Sequence, residues 1–208
     1  MNNTIDFDAF LPKYEEYISR GLSAGMGDRD GQMCIEAVVC AALGLPHGDN
    51  PNCVAPAVRA YKIILNDSAW SSEMVRAAGL HDLGIAQVGS AGIVDDIRFT
   101  QRMAEETIRQ IIPTLFRELY PSNAYALAAA ERCEQEGTVG AAARAAWTVR
   151  AAAAEAARAA AWAARTAMAA AWAAGSEPDK YLLLSANIAL DVLRELGSPG
   201  CAYVGRRP

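Results

Sequence analysis

Residues 141–174 read AAARAAWTVRAAAAEAARAAAWAARTAMAAAWAA, and 22 of these 34 residues are alanine. Alanine has the highest helix propensity of all residues, and the stretch contains neither glycine nor proline. We therefore predict one continuous helix, which would be about 50 Å long at the usual helical rise. Few globular helices are that long, so this stretch should dominate the second half of the fold.

The large side chains of this stretch all lie on one side of the predicted helix. At about 100° per residue they fall within an arc of about 160°, and the rest of the circumference is alanine apart from Val149. We call the alanine side the methyl face. Alanine buries little apolar area, but it lets another backbone come close. We expect neighbouring helices to pack on the methyl face and to supply the larger side chains there.

The opposite side, which we call the Arg/Trp face, is a candidate interaction surface. It places Arg beside Trp at helical neighbour spacing, so that the side chains can form cation–π contacts. The face consists of Arg144, Trp147, Arg150, Arg158, Trp162, Arg165 and Trp172. Three interpretations stay open. The tryptophans pack on neighbouring helices while the arginines reach water, the face binds a protein, or it stacks on nucleic-acid bases.

The charge distribution favours a protein partner over nucleic acid. The net charge of the chain is −5, yet residues 141–174 hold four arginines and one glutamate. Residues 175–208 are neutral, so residues 1–140 carry −8. General affinity for nucleic acid requires a dominant positive field, which this chain does not have. Arginine also interrupts the apolar run too often for a membrane span, so we expect a protein partner or self-association and no membrane partner.

The N-terminus and the cysteines indicate a cytoplasmic protein. The first residues, MNNTIDFDAF, lack the basic and apolar pattern of a signal peptide. The chain has five cysteines, an odd number without disulfide-rich spacing. We expect all five to be reduced and most of them to be buried. They are Cys34, Cys40, Cys53, Cys133 and Cys201.

The rest of the chain also has helical periodicity, and no segment alternates like a strand. Helices are predicted at residues 6–19, 32–43, 56–66, 71–87, 95–119, 123–136 and 177–196. Asp6 and either Ser71 or Ser72 are placed to cap helix starts, and Gly137 is placed to end a helix. The predicted fold class is all-α, a compact bundle of about eight helices with one long Ala-rich helix and no sheet.

Composition changes near Thr138, which indicates a division of the chain. Residues 1–137 are predicted to form an acidic helical domain. Residues 138–200 are predicted to form an Ala-rich helical hairpin, packed on that domain or projecting from it. Residues 201–208, after the Gly and Pro residues that end the last helix, are predicted to be a loose tail.

Reactive side chains are densest between Gly27 and Cys53. Cys34 lies near a predicted helix N-terminus, where the helix dipole would lower its thiol pKa. His47 or His81 could then act as its general base. The order Gly31-Gln32-Met33-Cys34 resembles the nucleophile segment of papain-like enzymes, but their strand-rich second half has no counterpart here. The thiol-dependent enzyme is therefore an alternative, with Cys34 and His47 as its catalytic candidates.

Two other kinds of site fit this region less well. Cys34, His47 and Cys53 are possible ligands for zinc, but no CxxC or HxxxH pair is present. Asp28 and Asp30 resemble the middle of an EF-hand loop, but Met26 and Ala37 occupy its two end positions. We therefore expect no metal and no cofactor. The remaining interpretation is structural, with buried cysteines and with aspartates that shape a loop.

Taken together, the sequence favours a non-enzymatic protein that binds a macromolecular partner through its helix faces. A small phage or bacterial regulator or inhibitor would fit this description. One alternative is a thiol-dependent enzyme or small-ligand binder that uses the Gly27–Cys53 region. The other is a structural protein that self-associates through its alanine faces.

Overall fold

The computed structural model describes residues 5–148 and 178–206. Within these ranges the chain forms eight α-helices and no β-strand, which confirms the all-α class. The helices are α1 (Phe7–Ile18), α2 (Ile35–Ala42), α3 (Pro56–Asn66), α4 (Glu73–Ala86), α5 (Asp96–Leu119), α6 (Ala124–Glu136), α7 (Val139–Thr148) and α8 (Pro178–Glu195). A 3-10 helix, η1, follows at Pro199–Tyr203.

Several helix ends lie where the sequence placed them, because their caps are local. The side chain of Asp6 accepts a hydrogen bond from the Ala9 amide, and Ser72 caps α4 in the same way. Asn123 accepts hydrogen bonds from two amides at the start of α6. Gly137 ends α6 in the left-handed conformation, with φ of 60°, which costs glycine little.

The chain divides into two compact units, each with its own core. Unit 1 is Met1–Phe99 together with Ala189–Pro208, and unit 2 is Thr100–Ile188. Helices α5 and α8 each contribute residues to both units. The predicted division near Thr138 stays a prediction, because much of the predicted hairpin lies outside the described residues.

The core of unit 1 is built around α2. All eight residues of this helix are buried, as its almost entirely apolar sequence predicted. Helices α1, α3 and α4 pack against it. Large side chains fill the space between them, among them Phe10, Tyr14 and Leu65.

The C-terminal end of unit 1 is more ordered than the sequence suggested. Instead of a loose tail from Cys201, residues up to Tyr203 belong to η1, which packs on α4. Ser198 donates a hydrogen bond to the Ala86 carbonyl at 2.5 Å. The Tyr203 ring stacks on Phe7, with 3.8 Å between ring centroids.

The core of unit 2 is rich in alanine. Helix α5 supplies Ile108, Ile112 and Phe116, whereas α6 and α7 supply mainly alanine. Ala141 and Ala142, both on the methyl face, are 1% and 2% exposed. Ala143 falls within the arc of the large side chains and is half-buried. Burial of the methyl face is thus confirmed for the first turn of the Ala-rich segment. The expected larger side chains come from α5, whereas α6 contributes mainly alanine. The single long helix stays a prediction, because residues 149–174 lie outside the described residues.

Candidate functional site

Cys34 marks the start of α2, where the sequence placed a possible nucleophile. Its Sγ atom accepts a hydrogen bond from the Ala37 amide at 3.4 Å, so the thiol serves as the helix N-cap. Burial raises the pKa of Cys34, and this outweighs the lowering effect of the amides of Ala37 and Glu36. The expected lowering of this pKa by the helix dipole is therefore wrong. A thiol with a raised pKa holds little of the reactive thiolate.

His47 is occupied elsewhere in the same region. Its Nε2 atom lies 3.3 Å from the Gly27 carbonyl oxygen, which fits a donated N–H bond that holds the loop. Among the hydrogen bonds of the described residues, none joins His47 to Cys34. The aspartate loop nearby is likewise structural, because Asp28 accepts a hydrogen bond from the Asp30 amide at 3.1 Å.

The other cysteines resemble Cys34 more than they resemble reactive thiols. None of the five cysteines forms a disulfide. Cys34, Cys40 and Cys133 are buried, in agreement with the expectation that most of them are buried. Burial raises the pKa of Cys40 to about 11. Burial also raises the pKa of Cys53 and of Cys201, which are only half-buried.

Beside Cys34 lies a buried charged group, Glu36, to which the sequence alone assigned no role. Glu36 is the one acidic residue of α2, and neither it nor Lys62 of α3 is accessible to solvent. The Glu36 Oε1 and Lys62 Nζ atoms are 3.4 Å apart. Gln87, at the C-terminal end of α4, donates a hydrogen bond to Glu36 Oε2 at 3.0 Å. We call these three residues the polar cluster.

The polar cluster is only partly satisfied by its own members. Burial raises the pKa of Glu36 and lowers that of Lys62, because it penalises both charges, while their mutual attraction opposes each shift. Glu36 Oε1, Lys62 Nζ and Gln87 Oε1 have no hydrogen bond within the described part of the chain. Such atoms are normally satisfied by internal water. The signal in the sequence was a lone glutamate within an otherwise apolar helix.

A small cavity of about 90 Å³ lies next to Cys34 and Glu36. It is walled by Gly25 and Met26 of the loop and by Asn66 and Asp67 at the end of α3. The amide of Asn66 is fully used, accepting from the Ile35 N–H and donating to Ser23 and Asp67. At about 30 Å³ per water molecule, the cavity has room for about three waters. It is too small for most organic substrates.

The surface of unit 2 carries a wider hollow that the sequence analysis did not identify. It has a volume of about 560 Å³, opens broadly to solvent, and is lined by residues 120–125. Tyr120 packs partly on the core of unit 2, whereas Tyr125 is 77% exposed. The cap on Asn123 fixes this segment at the start of α6. We call this feature the Tyr125 hollow.

The predicted Arg/Trp face lies mainly outside the described residues. Arg144 and Trp147 belong to α7 by their backbone. The other members lie beyond the end of that helix, in residues that the structure does not describe: Arg150, Arg158, Trp162, Arg165 and Trp172. Its role as an interaction surface therefore stays a prediction.

Comparisons with known proteins leave the function to be argued from the structure. No protein family model, curated protein or solved structure matches this chain. In residues 5–148 and 178–206 no helix is long and apolar enough to cross a membrane. The same residues contain no group of three or more His, Cys, Asp or Glu side chains suited to a metal ion.

Proposed function

We propose that this chain is a non-enzymatic helical protein that binds a protein partner through the surface of unit 2, and that it acts in the cytoplasm as a regulator or inhibitor. The observation that carries the proposal is Tyr125, an aromatic side chain 77% exposed at the edge of an open hollow. The Arg/Trp segment belongs to the same unit and adds a second predicted contact region.

The chemistry of the Tyr125 hollow suits a protein partner. Tyrosine offers a large rigid ring and a hydroxyl that can form hydrogen bonds, and it is enriched among the residues that dominate protein interfaces. Ligand pockets for small molecules are concave and cover most of the ligand. The Tyr125 hollow is instead open, and its lining among the described residues is one continuous segment, so that it can receive a protruding side chain of a partner.

The reactive groups of unit 1 support the same proposal, because each of them already makes a contact within the fold. Cys34 caps α2, His47 contacts Gly27, and Glu36 is paired with Lys62. A thiol-dependent enzyme needs an ionised thiol beside a base. The raised pKa of Cys34 disfavours the ionised thiol, and the contact of His47 is with Gly27. The small-ligand alternative would have to use the cavity of about 90 Å³, which limits it to ligands of a few atoms.

Site-specific photo-crosslinking in the producing cell tests the proposal. A photo-crosslinking phenylalanine analogue replaces Tyr125 in one variant and Ile97 in a control variant. Ile97 is a suitable control because it is 70% exposed but belongs to unit 1. Because Tyr125 is exposed, the replacement should leave the fold intact, which circular dichroism would check.

The masses of the cross-linked products separate the hypotheses. We expect a discrete product at position 125, heavier than the 22.1 kDa chain by the mass of another protein, and none at position 97. A product of twice the chain mass would instead support self-association. Equal products at both positions, or none at position 125, would contradict the proposed surface.

A further inference from the structure

His81 is held between two carboxylates that come from different helices. Its Nε2 atom lies 2.8 Å from Oε1 of Glu15 on α1. Its Nδ1 atom lies 2.8 Å from Oδ1 of Asp82, the next residue of α4. All three side chains are partly exposed, and all three belong to unit 1. We call this arrangement the His81 clamp.

The two short contacts together specify the protonation state of the ring. A carboxylate only accepts hydrogen bonds, and a neutral imidazole has a single N–H to donate. In the neutral form one ring nitrogen would therefore direct its lone pair at a carboxylate oxygen 2.8 Å away. The imidazolium has an N–H on both nitrogens and satisfies both carboxylates. The geometry thus fits only the charged ring.

The clamp lies at a close contact between α1 and α4. Tyr14 is fully buried beside it, and its hydroxyl donates a hydrogen bond to the His81 carbonyl at 2.7 Å. Gly84 allows this approach, since a Cβ atom there would lie 2.0 Å from the Tyr14 hydroxyl oxygen. The titratable groups that face His81 are Glu15 and Tyr14 from α1 and Asp82 from α4.

We propose that the His81 clamp is a pH-sensitive latch for the N-terminal helix. As imidazolium, His81 holds Glu15 and thereby fastens α1 to α4. As neutral imidazole it can donate to Asp82 or to Glu15, but not to both, so its hold on Glu15 weakens. Helix α1 then loosens while Tyr14 still anchors its middle. The proton that leaves the ring passes to solvent, which reaches the partly exposed ring directly.

The direction of the pH effect follows from the electrostatics of the clamp. Burial lowers the pKa of His81, but the hydrogen bonds and charges of Asp82 and Glu15 outweigh burial and raise it overall. A raised pKa in the folded state means that the stabilisation is complete below the unfolded value of about 6.5. It is lost as the pH rises through the folded value. The latch is therefore closed at low pH and opens only as the pH rises above the unfolded value.

Hydrogen–deuterium exchange between about pH 5 and about pH 9 tests the latch across the range in which histidine titrates. Protection factors, which remove the intrinsic pH dependence of exchange, are compared for α1 and for α3. In the wild-type protein we expect the protection of α1 to fall as His81 loses its proton, while that of α3 stays constant. In His81→Gln, protection of α1 should be low and independent of pH.

A second variant keeps the test decisive if His81→Gln does not fold. Glu15→Gln retains a hydrogen-bond acceptor but removes a negative charge, so the fall in α1 protection should move to lower pH. The NMR titration of the His81 ring, compared between the wild-type protein and Glu15→Gln, should shift to lower pH in parallel. Constant protection of α1 across the range in the wild-type protein, or an unshifted fall in Glu15→Gln, would overturn the latch.

Discussion

Helix α2 of unit 1 is enclosed by large side chains and carries a buried charge, whereas α6 and α7 of unit 2 meet mainly through alanine. In unit 1, Glu36 must be matched by Lys62 and Gln87 before α2 can be buried. In unit 2, the methyl groups of Ala129 and Ala142 need only space. The core of unit 1 therefore depends on specific polar partners for Glu36, whereas the core of unit 2 depends on the small volume of its alanine side chains. This difference makes the two units sensitive to different substitutions.

The largest effect should come from separating the buried ion pair of unit 1. Lys62→Met leaves the Glu36 carboxylate buried without its counter-charge, and removing one partner of such a pair typically costs about 3–5 kcal/mol. Adding Glu36→Met should recover most of the loss, because a matched apolar pair needs no solvation. The free energy of unfolding in urea measures both changes. A double variant no more stable than Lys62→Met would contradict the role assigned to the pair.

A smaller effect is expected where alanine keeps helices close. Ala142→Leu adds volume at a buried position of the methyl face and should cost about 1–3 kcal/mol through overpacking. Ala143→Leu is the matched control, since Ala143 is half-buried and lies toward the opposite face. Equal changes in the free energy of unfolding would mean that the methyl face has spare room.

Gly84 offers the corresponding test of close packing in unit 1. A Cβ atom there would lie 2.0 Å from the Tyr14 hydroxyl and 2.8 Å from Ile35 Cδ1. Gly84→Ala should therefore destabilise by about 1–3 kcal/mol, although alanine is favoured over glycine in a helix by about 1 kcal/mol. In Gly31→Ala, the control, the new methyl group would meet its nearest neighbours at 3.9 Å. A higher thermal unfolding temperature for Gly84→Ala would contradict the close approach of Tyr14 to Gly84.

The smallest effect concerns the segment that shapes the Tyr125 hollow. Asn123→Ala removes the acceptor of two amide hydrogen bonds at the start of α6 and should cost about 1 kcal/mol. Ser122→Ala changes an exposed neighbour that does not cap the helix and should have almost no effect. Chemical unfolding gives the free energy of unfolding of each variant. Similar free energies for the two variants would argue against a capping role for Asn123.

The features that the sequence predicted correctly are those set by neighbours along the chain. Asp6 and Ser72 cap helices because their side chains need to reach only three residues onward. The burial of α2 followed from its residues, which are apolar except for Glu36. These signals are local, so a single sequence carries them.

The features that the sequence analysis missed depend on distant contacts. Glu36 finds its partners on α3 and α4, and Tyr203 reaches Phe7 from the other end of the chain. The pKa of Cys34 was predicted in the wrong direction because the helix dipole is local, whereas burial depends on the whole of unit 1. The Tyr125 hollow is defined by exposure, which no spacing in the sequence indicates.

The contrast between a structural core in unit 1 and the proposed binding surface in unit 2 depends most on the state of Cys34. Its labelling by iodoacetamide near neutral pH, followed by peptide mass spectrometry, tests that state in the folded and the urea-unfolded chain. We expect Cys34 to react more slowly in the folded protein than after unfolding, because it is buried and its pKa is raised. Faster labelling of Cys34 in the folded protein than in the unfolded chain would contradict this account and favour a thiol-dependent enzyme.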